Sequence, residues 1–420
     1  MTKLDTSDFN QLYNIIEAVR TQLYPFRMNL IGAKNILNNP LNPFSYTPQG
    51  NFTRAILELS ERATRKYQKP EFNIDESVID GKTYNVELEI IDKAPFCNLV
   101  HFVKQGFNKN LPKILVVSPL AGHHATLLKN TVKDLLPFFD VYITDWIDAS
   151  QVPTIYGKFD MDDFIDYIIQ FIKDIPNPLH VMAVCQPTVP VLAATAIMSN
   201  QEDLKRKLPK SLILIGGPVD ARENPTAVNK FATSKSIAWF KQNTIMSVPN
   251  NYPGAGRKVY PGFLQLMGFM SMNWERHLKS HLELFENIAE GCTKKVEIHK
   301  KFYDEYLAVM DLPAEYYIQT IDEVFLKYSL AKGELISRGR NANLETIKKT
   351  AILGIEGEKD DIAAVGQTLS ALNLCKNLSK SKKHYYLQKG VGHYGVFSGS
   401  KFRKFVMPVI KDFAYKYNDN

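Results

Sequence analysis

A thiol, a carboxylate and an imidazole placed in that chain order can make and break acyl bonds, and this chain offers one of each in suggestive surroundings. Cys185 follows an apolar run, Leu179–Val184 (Leu-His-Val-Met-Ala-Val), and precedes Gln186-Pro187 and a helical pattern over Val189–Met198. A nucleophile on a sharp strand-to-helix turn projects at the edge of a sheet, beside helix-terminal N–H groups that also favour a thiolate. Such a turn asks for small residues two positions before and after the nucleophile. Ala183 meets that need; Pro187 departs from it, although proline is tolerated in a first helical turn, where its missing N–H has no partner. Taken alone, a cysteine after an apolar run is more often a buried structural residue.

Two downstream features shift that balance. Ala351–Ile362 (Ala-Ile-Leu-Gly-Ile-Glu-Gly-Glu-Lys-Asp-Asp-Ile) is an apolar strand emptying into a Gly-x-x-Asp loop, which sets Asp360 at a strand's carboxyl end. Gly390–Gly395 (Gly-Val-Gly-His-Tyr-Gly) is a flexible loop that presents His393 to solvent and to its partners. About 175 residues separate Cys185 from Asp360, room for an inserted cap, and the shorter step from Asp360 to His393 fits one helix and one strand. The expected roles are Cys185 as nucleophile, His393 as base and Asp360 as the group that fixes its tautomer. Asp361 is expected to cap the helix that follows, although the two aspartates can be exchanged in this reading.

The oxyanion of an acyl transfer needs two N–H donors. Gln186 is the expected first, and Leu120, with Ala121 beside it, the second, on the turn Ser118–His124. The pair His123-His124 invites a metal reading, but adjacent histidines rarely face one ion and no carboxylate stands at ligand spacing, so no metal is expected.

These residues need a scaffold. Apolar runs at Lys113–Ser118, Asp140–Thr144, Leu179–Val184, Ser211–Gly216, Thr350–Ile355 and His384–Gln388 alternate with amphipathic stretches at Ala125–Leu136, Phe159–Ile172 and Val189–Met198. A further helix is expected to carry Ile362, Val365, Leu369 and Leu372, and a last one spans Lys401–Tyr417. That rhythm predicts an α/β class, a mostly parallel sheet with helices on both faces. It breaks between about 220 and 340, where aromatic, Met, Lys and Glu residues suggest a mainly helical insertion. Residues 1–105 read as an N-terminal extension with helices in Phe9–Leu23 and Arg54–Lys66 and a β pair at Tyr84–Ile91 and Asn98–Val103. The expected organisation is thus extension 1–105, core 106–220 and 341–420, cap 221–340. Within the cap, Val259–Trp274 is uncharged and holds Phe263, Leu266, Met267, Phe269, Met270, Met272 and Trp274, either a buried cap core or an apolar lip.

Bulk properties narrow the class. The 420 residues are 45% hydrophobic and 23% charged, with a net charge of +7, which suits a globular fold with a proper core. No sustained basic patch points to nucleic acid. Four scattered cysteines, at 97, 185, 292 and 375, suit a reducing compartment rather than a disulfide scaffold. Met1–Leu30 lacks the basic-then-apolar order of a signal peptide. The uncharged stretch 175–201 holds four prolines and divides better into strand, turn and helix than into a membrane span.

Four segments in combination, His180–Pro190, Tyr260–Asn273, Glu356–Gln367 and Gly390–Phe397, resemble the intracellular polyhydroxyalkanoate (polyhydroxybutyrate) depolymerase family of the α/β-hydrolase superfamily. The resemblance runs over most of the chain from about residue 20. It implies an α/β-hydrolase fold and a Cys185–His393–Asp360 triad. It also implies action on amorphous 3-hydroxyalkanoate polyester at cytoplasmic storage granules, with no required cofactor and coenzyme A as a conceivable acyl acceptor. His123, Phe263 and Phe269 are the expected substrate contacts. A polyester synthase-like acyltransferase, an esterase or thioesterase for small acyl substrates, and a non-catalytic granule-coat protein are the competing readings.

Overall fold

Runs such as Ile-Leu-Val-Val and Leu-Ile-Leu-Ile are apolar on both faces, which a strand tolerates only when both faces are covered. In the computed structural model, which describes residues 6–272 and 274–418, these runs form the centre of a nine-stranded sheet. Its strands are β1 (Glu76–Ile79), β2 (Lys82–Ala94), β3 (Cys97–Lys104), β4 (Lys113–Val117), β5 (Asp140–Trp146), β6 (Leu179–Val184), β7 (Ser211–Ile215), β8 (Ala351–Gly357) and β9 (Lys383–Gln388). The spatial order is β1-β2-β3-β5-β4-β6-β7-β8-β9. Every pairing from β5 to β9 is parallel, and β1 to β3 join antiparallel at one end. This order, with the turn holding Cys185 after β6, is that of an α/β-hydrolase.

The period of two along each strand divides the core. Leu115, Val181 and Leu212 pack with Phe164, Ile168 and Leu192 of the helices Met161–Asp174 and Thr188–Asn200. Their neighbours Val116, Met182 and Ile213 point to the opposite face, against Leu128 and Val132 on one side chain layer and Ile410 and Phe413 of the C-terminal helix Met407–Asn418. Asp160 starts the first of these helices with a reciprocal capping box to Asp163.

The β pair expected within the N-terminal extension is a hairpin, β2–β3, that continues the central sheet through β5. Ahead of it, the helix Thr6–Leu37 runs well past Phe9–Leu23, through the exposed Pro25, and packs on the helix Pro48–Thr64. The segment between 221 and 340 is largely helical and adds a small three-stranded sheet of Met246–Ser247, Lys258–Tyr260 and Leu312–Pro313. Arg257, buried just before the strand Lys258–Tyr260, donates to the carbonyls of Val152, Pro153 and Gly157 at 2.6 to 2.9 Å. Val259–Trp274 contains the helix Gly262–Met272; the Met272 side chain and Asn273 lie outside the described residues. Among the described residues no helix is long and apolar enough to cross a membrane.

One expected helix is much shorter than its pattern. Residues 361–369 form turns, and helix begins only at Ser370–Leu374. The cause is Glu356, a carboxylate within the otherwise apolar β8, whose oxygens accept the N–H groups of Gly366, Thr368 and Leu369 and the Tyr385 hydroxyl. Those N–H groups are withdrawn from any helical ladder, and the carboxylate is left fully paired, as burial demands.

Gly216-Gly217 follow β7, where the backbone meets the start of the helix after Cys185. A Cβ on Gly217 would lie 1.9 Å from Thr188 Oγ1. Thr188 is β-branched and its hydroxyl already donates to the Cys185 carbonyl at 2.9 Å, so it cannot turn aside freely. Gly217→Ala is therefore expected to destabilise the protein by about 1–3 kcal/mol, read as a lowered melting temperature. An unchanged melting temperature would show that this contact yields.

Candidate active site

The turn after β6 puts Cys185 at φ 67°, in the left-handed region that a residue with a Cβ rarely occupies. The strain is held from several sides. Cys185 N–H donates to the Ile215 carbonyl at 2.7 Å, and the Cys185 carbonyl accepts from Thr188 N at 3.2 Å and from Thr188 Oγ1. Pro187 stands at the N-cap with φ −60°, where its ring fits and no N–H is missed. The departure from a small residue at that position is thus absorbed by the helix start itself.

Asp360 follows β8. Its Oδ1 accepts the N–H groups of Ile362 and Ala363, both at 2.9 Å, which fixes the carboxylate plane and leaves Oδ2 for His393. His393 opens a short 3₁₀ turn, His393–Val396, after β9, and its Nδ1 donates to Asp360 Oδ2 at 2.8 Å. Gly216, at φ 56°, lets the backbone of β7 pass this pair: a Cβ there would lie 3.3 Å from Asp360 Oδ2 and 3.5 Å from the His393 ring. The Cys185 sulfur lies near enough to act on the His393 imidazole electrostatically. The three residues that the sequence singles out therefore stand together.

Two details correct the expectation. His393 is not offered to solvent; it is only 6% exposed, walled by Tyr394 and Phe397. Asp361 caps nothing, because Asp360 itself takes the loop N–H groups, and Asp361 is exposed. Burial alone would pull the His393 pKa down, but its interactions with the Cys185 sulfur and with Asp360 outweigh it and raise the pKa well above its usual range. Buried Tyr316 and Tyr394 have their phenol protons held on, mainly by burial and in part by the same sulfur.

Leu120 is buried on the turn Ser118–His124, and neither its N–H nor that of Gln186 donates to an acceptor among the described residues. His123 is buried, donates from Nε2 to the Tyr306 carbonyl at 3.2 Å, and stacks on Phe269 with ring centroids 5.5 Å apart. Burial lowers its pKa to about 4, so the ring is neutral and ties the turn to the cap. Phe263 meets Tyr13 edge-on and is half-buried, as is Phe269. The apolar segment is thus neither a closed core nor an open lip. Met267 and Trp274 are more than half exposed, while Phe263, Leu266 and Met270 line a cavity of about 940 Å³. Among the described residues no group of three His, Cys, Asp or Glu side chains could hold a metal ion. The anchoring role of Glu356 shows in the sequence only as a carboxylate inside an apolar strand.

Comparison with known proteins shows what the chain is similar to. Residues 216–418, just under half the chain, match the model described as "PHB de-polymerase C-terminus", a span that includes Asp360 and His393 and begins after Cys185. The chain is similar to the poly(3-hydroxyalkanoate) polymerase subunit PhaC of Haloferax mediterranei, 23% identical over 368 residues, covering 84% of this chain and 68% of that protein. Among solved structures it is similar to DcsB in complex with a substrate analogue (11% identity, 80% of this chain, 100% of the other, TM-score 0.45). It is also similar to a monoacylglycerol lipase of Paleococcus ferrophilus (11% identity, 73% and 96%, TM-score 0.42). Both TM-scores lie below 0.5, and the fold rests on the sheet topology itself.

The two adjacent aspartates now separate by contact. Asp360→Asn should cost about 10³–10⁴-fold in kcat against a short ester, as loss of a triad acid does, whereas Asp361→Asn should cost little. The same Asp360→Asn change removes one cause that raises the His393 pKa, so the imidazole should lose its proton at lower pH, followed by NMR of its ring carbons. Equal losses from the two variants, or an unmoved His393 titration, would contradict this assignment.

Proposed function

For an α/β-hydrolase related to the polyhydroxyalkanoate depolymerases and polymerases, we propose a role as a depolymerase that cleaves ester bonds of amorphous poly(3-hydroxyalkanoate), poly(3-hydroxybutyrate) in particular, through an acyl-cysteine intermediate. The observation that carries this reading is the 2.8 Å His393–Asp360 pair beside a strained Cys185, in a chain whose C-terminal part matches the depolymerase model.

In this reading His393 Nε2 receives the Cys185 Sγ proton and the sulfur attacks the ester carbonyl carbon. The oxyanion is held by the N–H groups of Gln186 and Leu120. As the C–O bond breaks, the imidazolium returns its proton to the departing alkoxide, which leaves as a hydroxyl chain end. Water, deprotonated by His393, then attacks the Cys185 thioester, releasing the carboxylic acid and the free thiol. Asp360 keeps Nδ1 protonated throughout and balances the imidazolium. No cofactor enters these steps; coenzyme A in place of water would release an acyl thioester by the same route.

Contact with the polymer is the part of the reading that most needs a surface. The helices Thr6–Leu37, Pro48–Thr64, Trp274–Ala289 and Thr293–Tyr306 pack in sequence and expose Ile15, Val19, Leu23, Phe26, Phe52, Leu282 and Phe302. Exposed apolar residues at such density suit an amorphous polyester surface, and the reading places the enzyme at granules in the cytoplasm. The similarity to a polymerase subunit favours a second reading, acyl transfer from a soluble thioester to a growing chain.

Incubation with native amorphous polyhydroxybutyrate granules, with and without coenzyme A, tests both. Depolymerase action predicts soluble 3-hydroxybutyrate or its oligomers, lost in Cys185→Ala by roughly 10³-fold or more. Intact granules, together with polymer formed from 3-hydroxybutyryl thioester, would overturn it in favour of the polymerase reading.

A further inference from the structure

The helices Trp274–Ala289 and Thr293–Tyr306 pack on one another in the cap and border a groove of about 460 Å³, within the range of small-molecule sites. Its lining is largely aromatic. Phe302, Tyr303 and Tyr306 come from the second helix, as does Ile298, which is 62% exposed. One lining residue does not belong to the cap: Tyr394, which follows His393 directly in the chain.

Two sets of contacts put the inner end of this groove beside the reacting centre. The Tyr394 ring stands 5.8 Å from that of His393, nearly perpendicular to it, and its phenol is close enough to Cys185 to feel the sulfur. Tyr306 reaches the other side. Its carbonyl accepts from His123 at 3.2 Å and its ring lies 5.5 Å from the same imidazole, on the turn that carries Leu120. The Tyr306 and Tyr394 rings are 6.4 Å apart. The groove therefore starts between the loop that holds His393 and the turn assigned to the oxyanion.

The same residues hold hydroxyl protons that no partner takes up. His277, buried, meets the Tyr303 hydroxyl at Nδ1 (2.9 Å) and the Tyr306 hydroxyl at Nε2 (3.3 Å). Burial and the Arg276 charge lower its pKa, so the ring is neutral, with one N–H and one lone pair. In either tautomer one of the two hydroxyls donates to the ring. The other accepts from it and keeps its own proton for a further acceptor. Tyr394 adds a second such proton: its hydroxyl bonds to no group among the described residues and is not sealed from solvent. Aromatic faces with spare hydroxyl protons match an aliphatic polyester, whose repeat offers methyl groups and carbonyl acceptors but no donor.

We propose that this groove is the subsite for the alcohol segment of the ester under attack, the part of the chain that departs, with its methyl groups on the rings of Phe302 and Tyr306 and its next ester carbonyl accepting from the Tyr394 hydroxyl. The assignment rests on the ester-cleavage reading and adds to it the direction in which the chain lies. His393 hands its proton to the departing oxygen, so that oxygen must face His393. The segment attached to it then starts beside Tyr394.

The test holds the acyl group constant and varies the alcohol. Butanoate esters of methanol, of methyl 3-hydroxybutyrate and of the methyl ester of its linear dimer all leave the same butanoyl group on Cys185, counted by peptide mass spectrometry after rapid quenching. The second-order rate of acylation should rise about tenfold from the first ester to the third, the worth of one hydrogen bond and a buried methyl group. Tyr394→Phe, which removes one hydroxyl and keeps the ring, should lower that rise. Ile298→Trp, at an exposed position that spares the fold, should fill the groove and abolish it. A rise absent from the wild-type protein, a rise that survives both substitutions, or an equal loss on all three esters would overturn the proposal. Acylation that ignores the alcohol removes the subsite and leaves the catalytic reading standing. No butanoyl adduct from any ester sinks the catalytic reading instead, and calorimetric titration of the Cys185→Ala protein with the same esters then decides the groove. Affinity that grows with alcohol length, and ceases to grow once Ile298→Trp is added, supports it; flat affinity overturns it.

Discussion

A residue with a Cβ held at φ 67° costs of order 1–3 kcal/mol and persists only where its surroundings leave no alternative. The elbow at Cys185 is such a place, and much of the molecule is arranged to hold it. The β7 carbonyl of Ile215 takes its N–H, Thr188 takes its carbonyl twice, and Gly217 is bare so that Thr188 can stand there. Gly216 is bare for a related reason, since the Asp360–His393 pair passes within contact distance of its backbone. One short stretch at the end of β7 therefore supports both Cys185 and His393, and the parallel pairing of β6, β7 and β8 sets the spacing between them.

The cluster of Cys185, Asp360 and His393 was legible in the sequence because its parts sit where strands end. Cys185, Asp360 and His393 each follow an apolar run, and glycines mark the loops that carry the last two. Chain order and spacing then restricted the fold to a parallel sheet with an insertion. What the sequence did not disclose has a common cause, the capture of backbone or side chain by a distant partner. The helix expected through Ile362 and Val365 is lost to the Glu356 carboxylate, whose partners lie ten to thirteen residues on. The capping role expected of Asp361 belongs to Asp360, a choice settled by the position of His393 and invisible to local pattern.

The apolar segment of the cap teaches a related lesson. Its composition allowed core or surface, and the outcome is the wall of a cavity whose other sides come from the N-terminal helices, the turn after β4 and the loop after β5. Arg62, His124, Asp148 and Leu266 are far apart in the chain, and no spacing rule joins them. The N-terminal helices, which read only as an appended region, thus help to form this cavity of about 940 Å³, with Tyr13 bonded to the buried Asp311 and Arg62 bonded to Asp304. The same helices lay an exposed apolar surface beside the cap.

The central claim is that Cys185 carries the acyl group. Rapid quenching of the wild-type protein during turnover of a short 3-hydroxybutyrate ester, followed by peptide mass spectrometry, reads it most directly. The account predicts a 3-hydroxyacyl adduct on the peptide containing Cys185, formed before steady state and lost once substrate is exhausted. An unmodified Cys185 throughout turnover, or an adduct on any other residue, would contradict it.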